Sequence, residues 1–228
     1  MGGDNVSRIR GFCLLALAVA LLAGGCATTD DREELKRLQA RAAYERGLAN
    51  LRDKQSALGV AALREAISLD PGVPLYWNAL GLVYLEMRRP DLALVGFRSA
   101  TDLDDNYAEA FMNTGIALAE MGRWEEAVGA YRKALASPTL AVAHIAYQNL
   151  GLALYHLKRY AEAEEALRFA IGLEPKMEGA YYNLGLVLVA QGRREDAKRA
   201  FRHARDLAPH SPFGEAAVGQ LKALGDGG

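Results

Sequence analysis

The sequence predicts an all-α solenoid of five helical hairpins closed by a C-terminal capping helix. Three observations predict it. Glycines 47, 81 and 115 stand 34 residues apart, and Gly151 and Gly185 are again 34 apart. Alanines keep the same frame at 93, 127, 163 and 197 and at 66, 100, 134, 170 and 204. Large apolar residues keep it too, with Trp77, Phe111, Tyr147 and Tyr181 in one place and Phe97, Tyr131, Leu167 and Phe201 in another. A repeat of this length marks stacked units, none of which buries its apolar face alone.

The chain opens with a targeting segment. Arg8 and Arg10 precede an apolar run over residues 12–23, and Ala23-Gly24-Gly25-Cys26 supplies small residues ending in cysteine. Twelve apolar residues are too few to cross ~30 Å of hydrocarbon as a helix, so the run reads as a signal-peptide core over residues 1–25. It resembles a bacterial lipoprotein signal. The resemblance implies a diacylglycerol on the Cys26 sulfur, cleavage just before it and acylation of the new amino terminus. Ala23 stands where that family usually has leucine, and a plain secretory signal with a chance cysteine is the alternative. Removal of residues 1–25 takes away Cys13, Arg8, Arg10 and Asp4, which leaves 27 − 2 = 25 basic and 28 − 1 = 27 acidic residues. With Cys26 then alone, no intramolecular disulfide can form.

Residues 26–39 form the lipidated N-terminus and a solvated lead-in helix, "DREELKRLQ" over 31–39. The five units follow at 40–73, 74–107, 108–141, 144–177 and 178–211. Each is expected to be a hairpin in which the glycine of the eighth place faces the alanine of the twentieth, so that two helix axes approach closely. The aromatic fourth and twenty-fourth places then fill the gaps to either side. Gly122 and Gly192 sit where the first helix must stop, since glycine accepts the left-handed conformation of a helix end. Pro71, Pro175 and Pro209 mark the end of the second helix, where a missing amide proton is no loss. In the first unit Arg46, Asn50 and Gly59 replace apolar or alanine residues, which suggests a polar outer cap. Ser211-Pro212 starts the capping helix of residues 212–228, with Phe213, Ala217, Leu221 and Leu224 as its apolar stripe. Across 40–211 this pattern resembles the tetratricopeptide repeat.

One interval breaks the period. Gly115 to Gly151 spans 36 residues, and the two extra, Val142 and Ala143, fall between the third and fourth units. They either lengthen the connection or extend the next helix by about half a turn, in which case His144 and Ile145 project as a ridge. A neutral loop extension is the alternative.

Composition and motifs exclude several functions. Lys and Arg total 27 against 28 Asp and Glu with no basic face, so the phosphate attraction of nucleic-acid binders is missing. His144, His156, His203 and His210 show no zinc-type spacing, and no nucleophile elbow or phosphate loop occurs, so neither catalysis, a metal, a cofactor nor a small-molecule substrate is expected. His156, placed toward the groove beside Tyr155, reads as a surface histidine.

Function is then expected on the inner surface, where places two, five, nine and twelve of each first helix point. Reading them yields an apolar stripe that includes Leu75, Leu82, Met112, Ile116, Ile145, Leu152, Tyr155, Tyr182 and Leu186. Asn113, Asn149 and Asn183 lie beside it at the sixth place, able to bond the backbone of an extended segment. The inward places carry Arg41 and no lysine, so the paired clamp that tail-binding relatives use for a terminal carboxylate is absent, and a hydrophobic strand or amphipathic helix suits the groove better.

Among lipid-anchored arrays of this size the chain resembles the type IV pilus biogenesis and stability proteins, the pilotins of the pilus secretin. They share a short proline-containing insertion before an inner repeat, matched here by Ser137-Pro138-Thr139-Leu140 and Asn149-Leu150-Gly151. The family commonly has six units where five are counted here. The resemblance implies an outer-membrane scaffold, lipid-anchored on the periplasmic face, that helps secretin subunits localise and assemble; Ala27 lacks the aspartate of inner-membrane retention. An envelope adaptor for peptidoglycan enzymes or proteases is the alternative.

Overall fold

The computed structural model describes residues 29–138 and 140–226, and every element in them is helical. In order these are α1 (Thr29–Arg52), α2 (Ser56–Leu69), α3 (Pro74–Glu86), α4 (Pro90–Leu103), α5 (Ala108–Glu120), α6 (Trp124–Leu135), α7 (Ala143–His156), α8 (Tyr160–Leu173), α9 (Glu178–Ala190), α10 (Arg194–Leu207) and α11 (Pro212–Ala223). The signal segment and Cys26 lie outside the described residues. No helix among the described residues is long and apolar enough to cross a membrane.

Each odd-numbered helix packs on the next even-numbered one, and each pair stacks on its successor. From α3 onward the first helices of successive units also touch one another, whereas the second helices are not so paired. That asymmetry puts the first helices on the shorter, inner side of the stack, as the inward register requires.

The hairpin is closed differently from the expectation. The glycine of the eighth place meets the side chain of the twenty-fourth, with the alanine of the twentieth at its edge. A Cβ at Gly115 would lie 2.5 Å from Tyr131 Cε1, and one at Gly151 would lie 2.5 Å from Leu167 Cγ but 3.2 Å from the Ala163 carbonyl. The ring therefore sits on the glycine, and this seat buries Phe97, Tyr131, Leu167 and Phe201 almost completely. The first unit keeps it with Leu63 over Gly47. Gly59 is no part of a polar cap: it is buried, and a Cβ there would lie 2.6 Å from Leu51 Cδ2. Arg46 does remain at the surface, paired with Glu65 at 2.5 Å.

The turn between the two helices repeats in all five units. The residue at the fifteenth place has positive φ, and the amide after it bonds a carbonyl five residues back, as in Arg89 N to Tyr84 O at 2.8 Å and Arg193 N to Leu188 O at 2.9 Å. This is the Schellman closure, which satisfies carbonyls left over at a helix end. Glycine fills the left-handed place only at Gly122 and Gly192, while Lys54, Arg88 and Lys158 adopt it with φ near +60°. A Cβ there costs roughly 1–2 kcal/mol, partly offset by glycine's freer unfolded chain. Lys54→Gly with Lys158→Gly is expected to stabilise the protein by about 1–2 kcal/mol together, read as a rise in melting temperature of a few degrees.

Two boundaries differ from the sequence reading. The lead-in helix is not separate: α1 runs unbroken for 24 residues, exposed through residue 39 and buried first at Ala40 and Ala43. The insertion falls mainly in the connection. α6 ends at Leu135, two residues before the register at which α2, α4, α8 and α10 end, while α7 gains only Ala143 at its start. Residues 136–142 thus bridge a step that elsewhere takes four, with Leu140 buried as its anchor. His144 and Ile145 are half-buried, so no ridge forms. Finally, α4 stops in register at Leu103 although Asp105 stands where other units have proline, so proline accompanies the stop and does not cause it.

The capping helix α11 is the first helix of a sixth unit. It stacks on α10 and touches α9, and Ser211 caps it, its Oγ accepting from the Gly214 amide at 3.1 Å. Gly219 occupies the eighth place, but nothing lies within 4 Å of where its Cβ would be. The seat is present and no ring fills it among the described residues.

Candidate functional site: an inner pocket between the third and fourth units

On the inner side, α5, α6 and α7 enclose a pocket of about 340 Å³ lined by Ile116, Ala119, Glu120, Trp124, Tyr131, Asn149, Leu152 and Ala153. Ile116, Asn149 and Leu152 were expected there from their places in the repeat. Ile116, Asn149 and Leu152 are half-buried, so each keeps a surface to offer.

Asn149 differs from the other sixth-place asparagines for a reason that lies one unit earlier. Asn113 is buried, and its amide donates to Asn78 Oδ1 at 3.0 Å, while Asn78 Nδ2 donates to the Tyr107 hydroxyl at 3.2 Å. That chain links the second and third units. At the next junction the residue equivalent to Asn78 is Met112, itself buried at 9% exposure. A thioether is a poor acceptor, and Asn149 makes no side-chain hydrogen bond among the described residues. The expectation that Asn113 and Met112 face a ligand is corrected: both are core residues, because the inter-unit contact consumes their faces.

The remaining expected residues do not gather at this pocket. Tyr182 packs against Phe201 and Phe213, each with ring centroids 5.7 Å away. Asn183 is buried at 5% exposure. Leu186 and Ile145 lie half-buried against the core. Near Gly179, Gln148 Oε1 is buried with no donor among the described residues. The stripe read from the sequence therefore splits into an open pocket at the third and fourth units and a filled end under Phe213.

Two pocket residues escaped the sequence reading. Trp124 begins α6 and Glu120 ends α5, so neither falls on the inward register of a first helix. Trp124 stacks flat on His156 with centroids 4.0 Å apart and planes 8° from parallel, and Tyr155 meets His156 edge-on at 5.7 Å. His156 is thus exposed on the turn side and serves to hold the indole. Below, burial raises the Tyr131 hydroxyl pKa well above its ordinary value, and the Glu120 carboxylate adds to the effect. The visible sequence signal is Trp124 itself, at a place where the other units have Ser56, Pro90, Tyr160 and Arg194.

Charge lies mostly elsewhere. Ion pairs bridge units there, with Arg132 to Glu162 at 2.7 Å, Arg159 to Glu125 at 3.1 Å and Arg193 to Glu164 at 2.9 Å. Such exposed pairs contribute ~0–1 kcal/mol each. A second concavity of about 390 Å³ beside the insertion is lined by Asp105, Phe111, Lys133 and Pro138 among others, with the Lys133 ammonium 5.2 Å from the Phe111 ring centre. No group of three His, Cys, Asp or Glu is placed to hold a metal among the described residues.

A stack of helical hairpins with an inner pocket and an ionic outer face defines a repeat scaffold that binds other proteins. The family profile described as tetratricopeptide repeat matches residues 78–141 and 114–178, a second profile of that description matches 154–223, and the chain belongs to the tetratricopeptide-repeat family. Within it the chain is similar, over about half its length, to a type IV pilus assembly protein. It is 34% identical over 124 residues to the type IV pilus assembly protein PilF of Pseudomonas aeruginosa, covering 52% of this chain and 48% of that one. The chain spans about half the length, or less, of the curated relatives it matches. Among solved structures, the crystal structure of MamA protein superposes with a TM-score of 0.69 at 24% identity, over 75% of this chain and 92% of that one. PilW, described as a widely conserved type IV pilus biogenesis factor, superposes at 0.66 with 21% identity, over 81% and 92%. These two likenesses show the fold.

Proposed function

We propose that the protein is a lipid-anchored scaffold at the periplasmic face of the outer membrane, a pilotin-like factor that helps pilus secretin subunits localise and assemble. The observation that carries this reading is the identity to PilF, which spans more than half of this chain. The open pocket supports it, because a half-buried apolar wall with one unspent carboxamide suits a partner segment. The anchor rests on Cys26 and the apolar run before it. Two residues separate Cys26 from α1, whose exposed first part, through residue 39, adds about 16 Å of helix before the first buried residue, Ala40, so the array stands on a short helical stalk at its membrane.

Cys26→Ser is expected to abolish lipid labelling and release the protein from membranes; unchanged labelling removes the lipoprotein reading. A pull-down from membranes then tests the partner. Ile116→Gln with Leu152→Gln is expected to lower secretin capture at least tenfold with helical circular dichroism unchanged, since large apolar contacts at an interface core contribute ~1.5–3 kcal/mol each. Capture at wild-type level by this variant excludes the pocket as the binding surface. Capture of peptidoglycan enzymes in place of the secretin favours the envelope-adaptor reading.

A further inference from the structure

The pocket at the third and fourth units is not uniformly apolar. The charged group at its rim is Glu120, whose side chain is 36% exposed and whose ion pair among the described residues is a 3.9 Å approach to Arg88, itself 87% exposed. The other nearby cations are committed elsewhere: Arg123 is held by Glu126 at 2.6 Å, and Arg159 by Glu125 and Glu162. The carboxylate is therefore close to unneutralised while standing against an apolar wall.

Facing it is an indole that cannot turn away. Trp124 lines the pocket with one side and is clamped on the other by the parallel ring of His156. The electron-rich face of tryptophan is the strongest aromatic partner for a cation. Asn149 completes the lining with a carboxamide that bonds no other side chain among the described residues: Met112, in the place of Asn78, offers no oxygen to its amino group, and its carbonyl has no donor either. The carboxylate, the indole face and the amide oxygen all favour a cation, and the Asn149 amino group is the one donor among them. The flanking Ile116, Ala119 and Leu152 accept the methylene stem of a long side chain.

We infer that this pocket takes a basic side chain, arginine or lysine, from an otherwise apolar segment of the partner, its cationic head lying between Trp124, Glu120 and Asn149. The inference rests on the scaffold reading above and gives the partner segment a chemistry. It is the reverse of a clamp that holds a carboxylate with lysines and arginines. A guanidinium satisfies the site better than an ammonium, since it stacks flat on an indole while its edge donates to a carboxylate and an amide oxygen together. Arg88, which only approaches the carboxylate in the free protein, moves aside on binding.

The test uses two blocked nine-residue alanine–leucine peptides that differ only in the central residue, arginine in one and citrulline, its neutral isostere, in the other. They are titrated into the full chain while the two indole N–H resonances are followed. The Trp77 indole, bonded to the Pro71 carbonyl at 2.9 Å, serves as the internal reference. The arginine peptide is expected to move the Trp124 resonance with a Kd at least tenfold below that of the citrulline peptide, and Glu120→Gln is expected to erase the difference. A lysine peptide should bind between the two. Equal binding of the arginine and citrulline peptides overturns the inference and leaves the scaffold reading intact if Ile116→Gln with Leu152→Gln still abolishes both. Failure of both peptides to move the Trp124 resonance at millimolar concentration overturns it as well, whereas undiminished capture of the membrane partner by that double variant overturns the scaffold pocket itself.

Discussion

Phe201→Ala is expected to lower the unfolding free energy by about 3–5 kcal/mol and the melting temperature by on the order of 10 °C. The ring is fully buried, lies on Gly185 with Cδ1 2.6 Å from where a Cβ would be, and touches Tyr182. Its removal leaves a cavity that the backbone cannot close, because the glycine opposite has no side chain to move in. Since a repeat array is stabilised by each unit and its nearest neighbours, the loss should be local. Amide exchange in α9 to α11 should lose most of its protection while α3 and α4 keep theirs. A melt within about 1 kcal/mol of wild type would show that the glycine seat does not hold the hairpin together.

Gly214→Ala should detach the last helix. A Cβ at Gly214 collides with the Ala208 carbonyl oxygen and approaches Pro209 Cα to 3.1 Å, and backbone yields far less readily than a flexible side chain. Overpacking of this kind costs ~1–3 kcal/mol or more, and here it is concentrated on α11. Proteolysis after Lys222 or Arg205 should accelerate, and Phe213 should leave Tyr182. Gly219→Ala, in the same helix but with open space at its Cβ, is the control and should instead stabilise α11 by about 0.5–1 kcal/mol. Equal behaviour of the two variants would contradict the packing of α11 on the fifth unit.

The period made the hairpins legible because each unit solves the same packing problem with the same residues. What a single unit cannot show is a contact made between units. Asn113 and Asn149 hold the same place, yet one is consumed and the other free, and the difference is Asn78 against Met112 in the unit before. Glycine and alanine in one frame read naturally as partners, but the seat pairs the glycine with the ring four residues beyond the alanine, a matter of side-chain direction along the helix. The insertion was visible as two extra residues, while the early end of α6 was not: Pro138 stands only one place before the proline of the other units, yet the helix ends two places before theirs. Trp124 and Glu120 were missed because the inward register describes the faces of first helices, and the pocket is closed by the turn that joins α5 to α6.

The empty seat at Gly219 gives the two ends of the stack unequal prospects for growth. At the N-terminal end the glycine of the first unit is already occupied by Leu63, and the overhanging half of α1 exposes Leu35 and Leu38 in no seat-like arrangement. At the other end a single added helix with a large apolar residue at the matching place would complete a sixth hairpin, at the expense of the Arg202–Asp226 pair. Lengthening by duplication, in evolution or in the laboratory, therefore has an open direction, and a grafted copy of α10 after a three-residue turn like those of the other units is one such extension.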